Sequence, residues 1–111
     1  MGKYVSIDVD LQSNVSLFQN ALPEQIARAL EAIGLTAEGY AKAECPVDTG
    51  RLRNSISHAR DDEAAYIGTN VEYAPYIELG TSRMKPRPYL RPAVTEHSDE
   101  YKEIVKAALT D

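Results

Sequence analysis

A single cysteine, Cys45, stands in this chain of 111 residues, so no disulfide can close within it. The start, Gly2 to Asp8, has no apolar run of the kind a signal peptide carries, and no stretch approaches the roughly 20 consecutive apolar residues of a membrane-spanning helix. These absences point to a soluble protein of a reducing cytoplasm. Excess positive charge is lacking too, and a net charge of −5 excludes the uniformly basic surface of a sequence-independent nucleic-acid binder. A glycine-rich phosphate loop is missing, because Gly34 and Gly39 fall inside a helical pattern and Gly80 stands alone. Neither His58 nor His97 has a histidine or cysteine at metal-ligand spacing. Asp8 and Asp10 share one face of a strand, but two carboxylates without a third ligand hold a hard cation weakly. Cys45, beside Pro46, has no histidine placed to activate it and reads as a small buried residue. No cofactor and no metal are expected, and there are no internal repeats or low-complexity tracts.

What is present reads as one α+β domain spanning residues 1–111. Tyr4, Ser6, Asp8 and Asp10 alternate with Val5, Ile7, Val9 and Leu11, the period of a strand with one buried face. A connector follows to Asn20. From Pro23, the residues Ile26, Leu30, Ile33, Ala37 and Tyr40 recur at spacings of three and four, which puts them on one helical face. Pro23 suits a first-turn position and Glu24 complements the helix dipole there. Pro46 ends the helix before Cys45. Gly34 and Gly39 weaken its interior, and close packing against a neighbour is the expected reason for them. Ser55 to Arg60 and Ala64 to Thr69 flank the turn at 61–63 as a hairpin. Tyr73 to Leu79 predicts one or two helical turns, ended at Gly80 in a left-handed conformation. Thr81 to Arg91, with Pro86 and Pro88 and no periodicity, predicts a long, exposed, mobile loop. A final amphipathic helix starts near Pro92 and packs on the sheet, with Val94, His97, Tyr101, Ile104 and Val105 on one side. The expectation is a small antiparallel sheet of about three to four strands, packed against a long helix in the N-terminal half and a C-terminal helix.

Asp48-Thr49-Gly50 is a triplet that dimeric aspartic proteases also use, where two aspartates side by side share one proton. Here Gly50 leads into Arg51 and Arg53, whose guanidinium groups would hold such carboxylates ionised. The turn and cap reading is preferred, with Asp48 or Thr49 accepting otherwise unpaired backbone N–H groups and Gly50 and Gly80 supplying the turns. Around the basic stretch Arg83, Lys85, Arg87 and Arg91 cluster Tyr73, Tyr76 and Tyr89. A charge run is commonly a solvated loop, but tyrosine and arginine together make the composition of protein interfaces. Arg51, Arg53, Tyr73, Tyr76, Glu78, Arg83, Lys85, Arg87, Tyr89 and Arg91 are therefore the candidate contacts to another subunit or partner, while Tyr66 and Tyr101 are assigned to the core.

Three ordered blocks carry a family resemblance: Cys45-Pro46-Val47-Asp48-Thr49-Gly50-Arg51-Leu52-Arg53-Asn54-Ser55-Ile56, then Tyr73-Ala74-Pro75-Tyr76-Ile77-Glu78-Leu79-Gly80-Thr81, then Pro86-Arg87-Pro88-Tyr89-Leu90-Arg91-Pro92-Ala93. In order and spacing they resemble the tail-completion or head-tail joining proteins of long-tailed, siphovirus-like bacteriophages and prophages. The resemblance covers roughly Ala41 to Ala93 with the helix on either side. It implies a non-enzymatic structural protein of the virion neck, assembled in the bacterial cytoplasm as a ring of six copies. Its partners would be further copies of itself, the tail tube and the head-neck connector. Genomic DNA would pass through the ring without sequence-specific binding, since six copies total a charge of roughly −30 that repels it. A tail-terminator ring of the same virion region carries similar motifs. From another class, a small nucleic-acid-binding module would use Arg51, Arg53, Arg83, Lys85, Arg87 and Arg91.

Overall fold

Two prolines bracket the longest element. A computed structural model describes residues 7–9, 21–46, 50–61 and 64–109, the first three by their backbone. Within it α1 runs Pro23–Glu44, with Pro23 in its first turn. The Leu22 N–H donates to Gln25 Oε1 at 2.9 Å, which satisfies a donor that the helix geometry would leave unpaired. At the other end Cys45 turns to extended backbone, φ −69° and ψ 131°, the conformation that Pro46 imposes on its predecessor. Ala29, Leu30, Ile33, Ala37 and Ala41 form the fully buried stripe of α1, and Ile26 and Tyr40 flank it half-buried. Burying a side chain such as Leu30 or Ile33 stabilises the fold by about 1.5–3 kcal/mol.

Gly50 (φ 83°) opens the short helix α2, Arg51–Ser55. Then come β2, Ser57–Arg60, and β3, Ala65–Gly68. The Ala64 N–H donates to Asp61 Oδ1 at 2.8 Å and the Tyr66 hydroxyl to Asp61 Oδ2 at 2.8 Å, so one aspartate organises the turn between these strands. Tyr66 is thus only half-buried, not the core residue that its position suggested. The strand β1, Ile7–Val9, pairs antiparallel with β3 with Ile7 opposite Ile67, and β2 pairs on the other side with Ser57 opposite Gly68. The order is β1-β3-β2, so the described sheet has three strands, the lower of the expected numbers.

After β3 come α3, Ala74–Leu79, α4, Leu90–Thr95, and α5, Ser98–Leu109. The expected single C-terminal helix is therefore two. It begins at Leu90, ahead of Pro92, which a first turn tolerates because the N–H it lacks would have no helical partner there. It breaks at Glu96 and His97, and Ser98-Asp99-Glu100 restart it with the acidic first turn that the helix dipole favours. Tyr101 clasps the two pieces: its hydroxyl donates to Ala93 O at 2.5 Å inside the core. Burial pushes that hydroxyl up to about 12.

The long helix α1 is the hub, packed against β2 and β3 on the one hand and against α4 and α5 on the other. Contrary to the sequence pattern, it is α4 that reaches the sheet, at β1, whereas α5 lies along α1. Of the two helix glycines only Gly34 is where a neighbour comes close. A Cβ on Gly39 would meet nothing within 4 Å, so close packing does not explain that residue.

Candidate functional site

Thr69 and Ser55 join the first motif block to the second. The Thr69 hydroxyl, fully buried at the end of β3, donates to Ser55 Oγ at 2.5 Å, and Ser55 donates in turn to Leu52 O at 2.6 Å. The Val71 N–H donates to Thr69 Oγ1 at 3.1 Å, so α2 and the approach to α3 are held in fixed relation. Across the same junction Arg51 makes a two-pronged contact to Glu72, at 3.0 and 3.3 Å, and lies 5.4 Å over the Tyr73 ring. The Glu72 hydrogen bonds hold the Arg51 guanidinium above its ordinary range. Asp48 and Thr49 lie outside the described residues.

The second and third blocks meet through α3. Its helical spacing sends Ala74 and Glu78 inward and turns Tyr76 and Leu79 outward, where they are 58% and 68% exposed. Gly80 follows with φ 77° and ψ 174°, a positive-φ conformation outside the left-handed helical region that the sequence pattern predicted. A Cβ there would stand 2.8 Å from Pro86 and 2.9 Å from Met84 O. The chain thus folds back on itself directly after α3. Thr81 and Met84 exchange backbone hydrogen bonds across a tight turn, and the Arg87 N–H donates to Ile77 O at 2.8 Å. The expected mobile loop is exposed over most of its length, but it is closed on itself between Thr81 and Met84 and tied to α3 at Arg87.

Glu78 is the hinge pin of this arrangement. It is 6% exposed, and its carboxylate accepts the N–H groups of Tyr89 and Leu90 through Oε1, at 3.0 Å each, and of Arg91 through Oε2, at 3.1 Å. These are the donors that the start of α4 leaves unpaired, and a negative charge there also meets the positive end of the helix dipole. Tyr89 is fully buried. Burial pushes its hydroxyl well above the usual phenol range, and that hydroxyl has no hydrogen-bond partner among the described residues. Glu78 and Tyr89 therefore work inside the subunit: both leave the set of outward contacts proposed from the sequence.

The remaining candidates lie on α2, α3 and the segment that follows it. Arg53, Arg83, Lys85, Arg87 and Arg91 are exposed, Tyr73 is half-buried, and Arg83, Lys85, Arg87 and Arg91 form no ion pair among the described residues. Cations that are unpaired among the described residues, together with an exposed Tyr76 and Leu79, can bury apolar area and meet acidic groups of another molecule. Among these described residues, no nucleophile is paired with a base. Cys45 is buried, and that burial pushes its thiol up, away from the reactive thiolate.

Sequence spacing missed two clusters because their members lie far apart in the chain. His58 on β2 lies between Glu38 of α1, 2.9 Å from its Nδ1, and Glu31, 2.7 Å from its Nε2. His97 lies against Tyr40 and Glu44. The only local signal was the i, i+7 spacing of Glu31 and Glu38 on the helix face next to Gly34.

A family model described as "Bacteriophage HK97-gp10, putative tail-component" matches residues 10–80. No curated protein and no solved structure matches the chain.

Proposed function

The chain belongs to the HK97-gp10-like family of bacteriophage tail components, and from that premise we propose that it assembles as a ring at the head-tail interface, completing the tail and joining it to the capsid neck. As a tail component it is a structural protein of the virion. In this reading it has no enzymatic role. The observation that carries the assembly role is the surface formed by Tyr76, Leu79 and the tied segment with Arg83, Lys85 and Arg87. Tyr76 and Leu79 are exposed there, and Arg83, Lys85 and Arg87 are exposed and form no ion pair among the described residues.

A ring needs two different surfaces on each subunit, one docking on the other of the next copy until rotation closes the circle. The α3 ridge with its basic segment is the donor surface, and six copies make the closed ring. Arg51, already paired with Glu72, and Arg53 would add to it from α2. The tail tube and the head-neck connector then take the two faces of the ring, and the genome crosses it without sequence-specific contacts. A tail-terminator role in the same region rests on the same surface. These cations, unpaired among the described residues, also favour a second reading, a small nucleic-acid-binding module.

Electron microscopy of an induced lysate lacking only this gene separates these readings. Filled heads beside separate tails of normal length support completion and joining, and tails of uncontrolled length move the role to termination. Intact infectious particles overturn the structural reading. DNA affinity that falls steeply with salt then supports the nucleic-acid module.

A further inference from the structure

We propose that Glu44, Glu96 and His97 form a binding site for a divalent transition-metal ion, Zn²⁺ being the reference case, which staples the end of α1 to the turn between α4 and α5. Each residue offers one ligand atom, and the three atoms lie within 4.8 Å of one another. They come from parts of the chain that share no local signal, so the juxtaposition is a product of the fold.

The histidine sets the site apart from an ordinary patch of surface carboxylates. Its ring lies flat on Tyr40, with centroids 3.5 Å apart and planes 2° from parallel. Tyr40 in turn donates a hydrogen bond from its hydroxyl to Glu100, so the ring that supports His97 has its own anchor. Stacked there, His97 has its Nε2 buried and without a hydrogen bond among the described residues. The nearest carboxylate oxygen, Glu44 Oε1, stands 3.9 Å away, too far for a hydrogen bond. Two ligands each about 2.0–2.2 Å from one zinc ion stand roughly 3–4 Å apart. The spacing therefore suits atoms that share an ion better than atoms that share a proton. Glu44 and Glu96 are exposed.

The donor set fixes the class of cation. An imidazole nitrogen with two carboxylates suits Zn²⁺, Co²⁺ or Ni²⁺, whereas Mg²⁺ and Ca²⁺ demand oxygen ligands throughout. Three protein ligands leave a further position for water. The site is independent of any role in ring assembly.

The test uses the full chain stripped with EDTA and titrated with Zn²⁺ by calorimetry, with Co²⁺ followed by its visible absorption. Saturable binding of one ion per chain is expected, with a raised melting temperature and no comparable response to Mg²⁺. The double variant Glu44→Gln/Glu96→Gln changes only exposed groups and should fold, which circular dichroism checks. It should bind Zn²⁺ at least about 10-fold more weakly, and His97→Ala about 100-fold more weakly. No saturable Zn²⁺ binding by the unaltered chain overturns the site. So does equal affinity in the double variant, an equal response to Mg²⁺, or binding that is lost on His58→Asn but kept in His97→Ala.

Discussion

Gly34 and His58 are in such close contact that a Cβ at position 34 would stand 2.9 Å from His58 Cδ2. Glycine at this point of α1 lets β2 approach until His58 reaches Glu31 and Glu38 on the same helix. Alanine there gains helix propensity worth about 1 kcal/mol, but it pushes the ring off both carboxylates, and the strain outweighs the gain. Gly34→Ala should lower stability by about 1–2 kcal/mol. Gly39→Ala, facing open space, should raise it by about 0.5–1 kcal/mol. Chemical denaturation of the two variants checks the pair, and a stabilised Gly34→Ala would contradict the close-contact account.

Stability should peak in mildly acidic solution. The hydrogen bond to Glu38, reinforced by Glu31, raises the pKa of His58 above its ordinary value despite some desolvation. Its contribution is complete below the unfolded histidine value of about 6.5 and is lost as pH rises through the folded value. Burial alone would push the Glu38 carboxyl up, but hydrogen bonds from His58 and Lys42 outweigh it and leave the pKa lowered. That contribution is present above the unfolded glutamate value and is lost as pH falls through the folded one. Arg60 also faces Glu31, at 3.7 Å. Melting temperatures should therefore be higher near pH 5.5 than near pH 8.5, and this difference should shrink in His58→Gln. An unchanged difference would remove His58 as its source.

Glu78→Ala should be among the most destabilising single changes, at about 2–5 kcal/mol, because it leaves three N–H groups at the start of α4 without an acceptor. Glu78→Gln keeps one acceptor oxygen and should cost about 1–3 kcal/mol. Urea denaturation gives both numbers. Values within 0.5 kcal/mol of the unaltered protein would mean that the carboxylate does not hold the turn.

Tyr76 and Tyr89 should part company on mutation. Tyr89→Phe removes a buried hydroxyl that has no partner among the described residues, and should leave stability unchanged or raise it by about 1 kcal/mol. Tyr76→Ser with Leu79→Ser should leave the melting temperature of the subunit nearly unchanged, because both side chains are exposed. The same double variant should fail to complement a deletion of the gene in a plaque assay. Full complementation would take the α3 ridge out of the assembly surface.

The elements that could be read from the sequence are those with local punctuation. Pro23 and Pro46 mark both ends of α1, and Asp61 marks the hairpin turn. Long-range chemistry was not legible. Glu78 and Tyr89 had the composition of interface residues, and only the fold reveals that one caps α4 and the other fills the core. The division between α4 and α5 was hidden for another reason. Val94, Tyr101 and Val105 keep a helical period across the break, although Ser98-Asp99-Glu100 is a helix-start pattern. The carboxylates around His58 and His97 come from α1, far away in the chain, and no spacing rule reaches them.

The position of β3 in the centre of the sheet sets an order of events on the way to the native state. Ile7 and Ile67 are paired across 60 positions of chain, while β2 and β3 are separated by a tight turn. Closing the long loop costs more chain entropy than closing the hairpin. Of the three described strands, β1 should therefore join last, after α1 and the hairpin have formed the surface that receives it. Pulse-labelled hydrogen exchange during refolding should find the amides of β1 protected after those of β2, and simultaneous protection would mean that the sheet forms in one step.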